Sequence, residues 1–118
     1  MSAERLVREL KRRIERELGV KLPRIRLRRH RRHSPLAWHV SNYVWERGRG
    51  GRLTSSTIYY REPSRRYAKR YPLKRILAHE LLEIAYMQRA LQRSKRRMPR
   101  DIERRAHNFA KRHEAKFL

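Results

Sequence analysis

His79, Glu80 and Glu83 stand in the run His79-Glu80-Leu81-Leu82-Glu83, inside the apolar stretch formed by Ile76-Leu77-Ala78 and Ile84-Ala85. His79 and Glu83 are four residues apart, so on a helix their side chains point the same way, one turn from each other. Glu80 lies between them around the axis. Two carboxylates among Leu, Ile and Ala are expensive to bury unless something positive pairs with them. A divalent metal ion would do so. Arginine would too, and Arg75, Arg104 and Arg105 are the available partners. A metal reading needs a further ligand from a neighbouring element, because two donors from one helix leave the shell incomplete. The candidates are Glu103, His107 and His113. Glu103 and His107 are four apart and share a helix face, whereas His113 falls about two turns further on and is the least suited.

Two helical stretches must carry these residues. Pro72 sits where a helix would begin, at its first turn, and the pattern runs to about Gln92. A break over Ser94 to Arg100 follows, and Asp101 is placed to cap a last helix reaching nearly to Leu118. Ahead of them, Leu6, Val7, Leu10, Ile14 and Leu18 recur at helical spacing over residues 2–18, with Gly19 as the stop. From Leu22 the period changes to two: Pro23, Ile25 and Leu27 alternate with Arg24, Arg26 and Arg28, a half-exposed strand with a basic outer face. Leu36 to Trp45 and Leu53 to Tyr60 read as two more strands, joined as an antiparallel hairpin across Gly48, Gly50 and Gly51. Arg61 to Tyr71 is a basic connector. The expected fold is α+β: an N-terminal helix, a small, mainly antiparallel three-stranded sheet and two C-terminal helices, in a single domain over residues 1–118.

Lys and Arg number 34 against 11 Asp and Glu, a net charge of +23. So much positive charge predicts at least non-specific attraction to nucleic acid. The alternative is the Arg-rich surface of a thermophile's protein, and the scarcity of Asn and Gln fits it. Cysteine is absent, which excludes disulfides and thiolate metal sites. No apolar stretch approaches the roughly 20 residues of a membrane span, and Met1 to Val20 lack the apolar core of a signal peptide. The expectation is a cytoplasmic protein with no membrane partner. Oligomeric state is not legible.

The runs Arg28-Arg29-His30-Arg31-Arg32-His33 and Arg47-Gly48-Arg49-Gly50-Gly51-Arg52 offer Arg28, Arg29, Arg31, Arg32, Arg47, Arg49 and Arg52 as phosphate contacts, or else are solvated basic loops. Neighbouring arginines repel a cation, which argues against a metal at His30 or His33; His39 lies in the second strand. Trp38, Tyr43, Trp45, Tyr59 and Tyr60 either stack nucleic-acid bases or fill the core, and core packing is the more usual fate of aromatics in a small sheet. Tyr86 continues the stripe of His79 and Glu83 and either bonds a substrate or packs.

The chain resembles the ImmA/IrrE-type minimal zinc metallopeptidases. Arg75-Ile76-Leu77-Ala78-His79-Glu80-Leu81 is similar to that family's run into its H-E-x-x-H metal helix. Glu103, Ala106, Phe109 and Ala110 match its second motif, E-x-x-A-N-x-F-A, with His107 in place of Asn. The resemblance covers roughly residues 53–112. It implies a minimal zincin-like fold in which His79, Glu83 and Glu103 hold zinc, with His107 as the alternate third ligand. Glu80 would be the general base that takes a proton from the attacking water. It also implies a protein substrate, held by strand addition along an edge strand near Ile58 to Tyr60. A protease acting on proteins near nucleic acid would reconcile this site with the charge.

Glu83 departs from that pattern, because it stands where the family has a second His. One imidazole with two carboxylates suits harder ions such as manganese better than His₂Glu does. Three outcomes are open: an active variant, a metal held through His79 and His107 with altered geometry, or a degenerate site on a fold reused for binding. In a different class altogether, the chain is a basic DNA- or RNA-binding protein whose glutamates serve as ion pairs.

Overall fold

The computed structural model describes residues 2–94 and 98–118. The elements run α1 (Ala3–Leu18), β1 (Arg24–Arg29), β2 (Ala37–Glu46), β3 (Gly50–Tyr60), α2 (Arg65–Ala68), α3 (Leu73–Arg93) and α4 (Ile102–His113), then a closing 3₁₀ turn, Glu114–Phe117. The expected α+β architecture is present, with the short α2 added inside the basic connector. The predicted break at Ser94 to Arg100 falls partly on Lys95, Arg96 and Arg97, which lie outside the described residues.

Local chemistry sets the ends of α1. The Ser2 hydroxyl accepts the Arg5 N–H at 3.2 Å, satisfying a donor that the first turn leaves free. Gly19, at φ +63°, closes the other end, and its N–H donates to the Glu15 carbonyl at 2.9 Å. Ala3, Val7, Leu10 and Ile14 form the buried stripe. Asp101 differs from expectation: its side chain makes no capping hydrogen bond and instead accepts from Arg104 and Arg105 at 3.1 and 2.9 Å.

The strand order is β1-β3-β2, with β1 parallel and β2 antiparallel to β3. The sheet is therefore mixed rather than mainly antiparallel, and β3 is its central strand. Ile58 to Tyr60 are thus unavailable for strand addition, and the edges belong to β1 and β2. The loop after β1 carries the chain past the end of β3, so that β3 rather than β2 lies beside β1. Gly50 opens β3 at φ +86° and lies against the end of α3: a Cβ there would sit 2.8 Å from the Ser94 carbonyl oxygen.

α3 lies against the sheet, α1, α4 and the 3₁₀ turn, which is why it is buried on several faces. Leu77, Leu81, Leu82, Ile84 and Leu91 are fully enclosed, and Ile58 of β3, Ile14 of α1 and Phe117 complete the core. Gln88 ties the layers together. Its Oε1 accepts the Leu53 N–H at 2.7 Å and its Nε2 donates to the Lys21 carbonyl at 3.0 Å. Among the described residues no helix is long and apolar enough to cross a membrane.

Candidate metal centre

His79 and Glu83 flank the buried stripe of α3, half-buried at the seam where α3 meets α4 and the closing 3₁₀ turn. His79 Nε2 lies 3.0 Å from Glu83 Oε1 and 3.2 Å from His107 Nδ1. The other ring nitrogen, Nδ1, lies 3.1 Å from Glu114 Oε2. Glu114 also accepts from Arg75 at 3.2 Å, and the Arg75 guanidinium rests over the Tyr71 ring. A carboxylate with an arginine already on one oxygen is an acceptor, so it fixes a proton on His79 Nδ1. That directs the Nε2 position at Glu83 and His107.

A second cluster begins on the opposite side of Glu83. His39, projecting inward from β2, has Nε2 3.9 Å from both Glu83 Oε2 and Glu80 Oε2. Glu83 thus faces His79 with one oxygen and His39 with the other. Two groups, His79/Glu83/His107 and His39/Glu80/Glu83, have donor atoms close enough together to hold a metal ion. Among the described residues no Arg or Lys forms an ion pair with Glu80 or Glu83.

The first group fits a divalent ion. Its donors are two imidazole nitrogens and a carboxylate oxygen, the types zinc takes. Ligands on a tetrahedral shell with bonds of about 2.0 Å are about 3.3 Å apart, near the spacings around His79 Nε2. A lone pair on Nε2 facing a carboxylate at 3.0 Å is repulsive without a cation or a proton between them. The site therefore binds one or the other.

The surrounding electrostatics follow from burial and neighbours. Burial is the largest influence on Glu80 and, with the negative charge of Glu83 beside it, raises its pKa to about 7 against the pull of His39 and His79. Burial pushes Glu83 up as well, but hydrogen bonds and positive charge from His39 and His79 prevail and bring it down to about 2. For His79, burial pulls the pKa down, and Glu83, Glu80 and Glu114 more than offset that, leaving it above the ordinary value.

Of the residues expected at the site, His79, Glu80, Glu83 and His107 are together. Glu103 is exposed and stands outside both donor groups. It lines an open cleft of about 600 Å³ that also contains His39, Glu80 and Glu83. His107 takes the place nearest His79. His113 packs its ring against Phe109 instead. Tyr86 turns to Phe109 as well, with ring centres 5.3 Å apart, and does not reach the cluster. Sequence reading passed over two residues. His39 was read only as part of the second strand, and β2 points it inward to Glu80 and Glu83. Glu114 had no motif to mark it, and its one signal was to be an acid where only 11 stand against 34 basic residues.

Comparison with protein-family models, with curated proteins and with solved structures yields no match to this chain.

Proposed function

We propose that the protein is a metal-dependent hydrolase, a minimal zincin-like peptidase whose ion is held by His79, Glu83 and His107. The orientation of His79 carries this reading: Glu114 holds Nδ1 while Nε2 converges with Glu83 and His107 at 3.0 and 3.2 Å. His₂Glu is a set that favours zinc over manganese. A bound divalent ion would supply Lewis acidity and ease the deprotonation of water.

Glu80 is the general base in this reading. In the metal-free protein burial and the charge of Glu83 raise its pKa to about 7, and a carboxylate kept above the ordinary value by burial is suited to take a proton from water and pass it on. His39 stands where it can hold that carboxylate in place. The substrate enters along β2, an edge strand that offers unpaired backbone groups to an extended peptide and whose first residue, Ala37, lines the pocket containing His79, Glu80, Glu83 and His107. The alternative, in which the acids of α3 only neutralise arginines, has less behind it, because the partners of Glu80 and Glu83 are histidines.

Metal analysis tests the site. Protein loaded with zinc and desalted is expected to keep about one ion per chain. His79→Ala and His107→Ala should lose it, and Glu103→Ala should keep it. No ion in the wild type ends the metal reading, and loss in Glu103→Ala with retention in His107→Ala ends this donor set. Glu80→Gln should keep the ion and lose hydrolysis of an unfolded protein substrate. Unchanged hydrolysis in that variant refutes the peptidase assignment.

A further inference from the structure

The sheet's outer face carries a different set of residues, and the proposal it supports stands independently of the metal centre. Pairing across the three strands aligns them in rows. Arg24, Ser55 and Asn42 form one row, Arg26, Thr57 and Val40 the next, and Arg28, Tyr59 and Trp38 the third. Arg24, Arg26 and Arg28 are exposed, and Val40 between the ends of the face is 54% exposed. Successive guanidinium groups on β1 are two residues, about 6.6 Å, apart along the strand. That is close to the phosphate repeat of an extended single strand.

The third row ends in stacked rings. Trp38 and Tyr59 lie 5.1 Å apart and 11° from parallel, and the Arg32 guanidinium covers Trp38 at 5.5 Å. Both rings are half-buried and so stand partly in solvent. Neither is part of the core that encloses Tyr60 and Ile58 on the other face. The arginines here are also uncompensated. Among the described residues Arg24, Arg26, Arg28 and Arg32 form no ion pair, whereas Arg29 is paired with Glu62 and Arg49 with Glu46. A row of free guanidinium groups beside a flat pair of rings fits a ligand with regularly spaced anions and exposed planar bases. Duplex nucleic acid presents the anions but keeps its bases stacked inside.

We infer that the outer face of the sheet binds single-stranded nucleic acid, with its phosphates along Arg24, Arg26 and Arg28 and a base on the Trp38–Tyr59 stack. β2 then serves both sides of the sheet, with His39 turned inward to Glu80 and Glu83 and Trp38 turned outward.

The test uses the full chain, a fluorescent oligothymidylate and a series of salt concentrations. Arg24→Gln/Arg26→Gln/Arg28→Gln is compared with Arg8→Gln/Arg12→Gln/Arg16→Gln, which removes the same charge from the exposed side of α1. Unfolding curves confirm that both are folded. The sheet variant should bind at least tenfold more weakly than the α1 variant. Its slope of log affinity against log salt should fall by about 2, as three lost single-strand phosphate contacts require. Trp38→Ala should weaken binding roughly 5- to 150-fold. Because Trp38 also packs within the sheet, Tyr59→Leu, a milder change to the stack, should weaken it in the same direction. Equal losses in the two arginine variants, or duplex bound as tightly as the single strand, would overturn the inference.

Discussion

Glu83 divides its two oxygens between His79, at 3.0 Å, and His39, at 3.9 Å, and so takes histidines rather than arginines as its partners. The spacing of His79 and Glu83 was legible in the sequence, and so was His107 as one candidate on the next helix, but nothing there marked His39 or Glu114 as their neighbours. Glu80, one residue after His79, is the group whose burial has a measurable price. Its folded pKa of about 7 lies above the ordinary 4.5, so in the metal-free protein the folded state holds this proton more tightly than the unfolded chain. The stability it contributes is present below pH 4.5 and is lost as pH rises through 7. Glu83, lowered to about 2, acts in the opposite sense: its contribution is present above pH 4.5 and disappears as pH falls towards 2. Between pH 5 and 8, metal-free wild type should therefore lose stability relative to Glu80→Gln, by on the order of 1–3 kcal/mol. Urea unfolding of both proteins across that range checks it. A difference that does not change with pH would contradict the raised pKa.

At the scale of elements, α3 was the most legible part of the chain, because its apolar period is long and uninterrupted. β1 was legible as a strand, but its parallel pairing with β3 was not. Alternation shows which side of a strand is buried without showing its neighbour. The same limit hid His39: until β2 is placed at the sheet edge beside α3, nothing aims its inner face at Glu80. Gln88 is the residue that registers α3 against β3. Replacing it with alanine leaves the Leu53 N–H and the Lys21 carbonyl without their partner in a buried seam. Gln88→Ala is expected to cost about 1–3 kcal/mol. The loss should appear in denaturant midpoint and in faster amide exchange at Leu53, and a change at neither would show that the seam is held by apolar packing alone.

Over the whole molecule, charge was fully legible in the sequence, whereas its arrangement was not. With 34 basic residues against 11 acids, most guanidinium and ammonium groups have no acid to pair with. Exposed pairs such as Arg5–Glu9 and Arg13–Glu17 on α1 are worth only about 0.3–0.5 kcal/mol each. The arginine surface therefore acts mainly as a source of repulsion, confined to a body with a radius of gyration of 14.2 Å. At low salt the screening length exceeds that radius, reaching about 30 Å at 0.01 M, and every charge acts on every other. At 0.1 M it falls to about 10 Å and the repulsion becomes local. Thermal unfolding should shift upward by several degrees between those concentrations of potassium chloride, a salt with little preferential exclusion of its own. A short polyphosphate, which places several anions at once against the uncompensated arginines, should give the same rise at far lower concentration. A melting temperature that is flat or falls with salt would mean that attractive pairs outweigh the net charge, contrary to the distribution of acids in the fold.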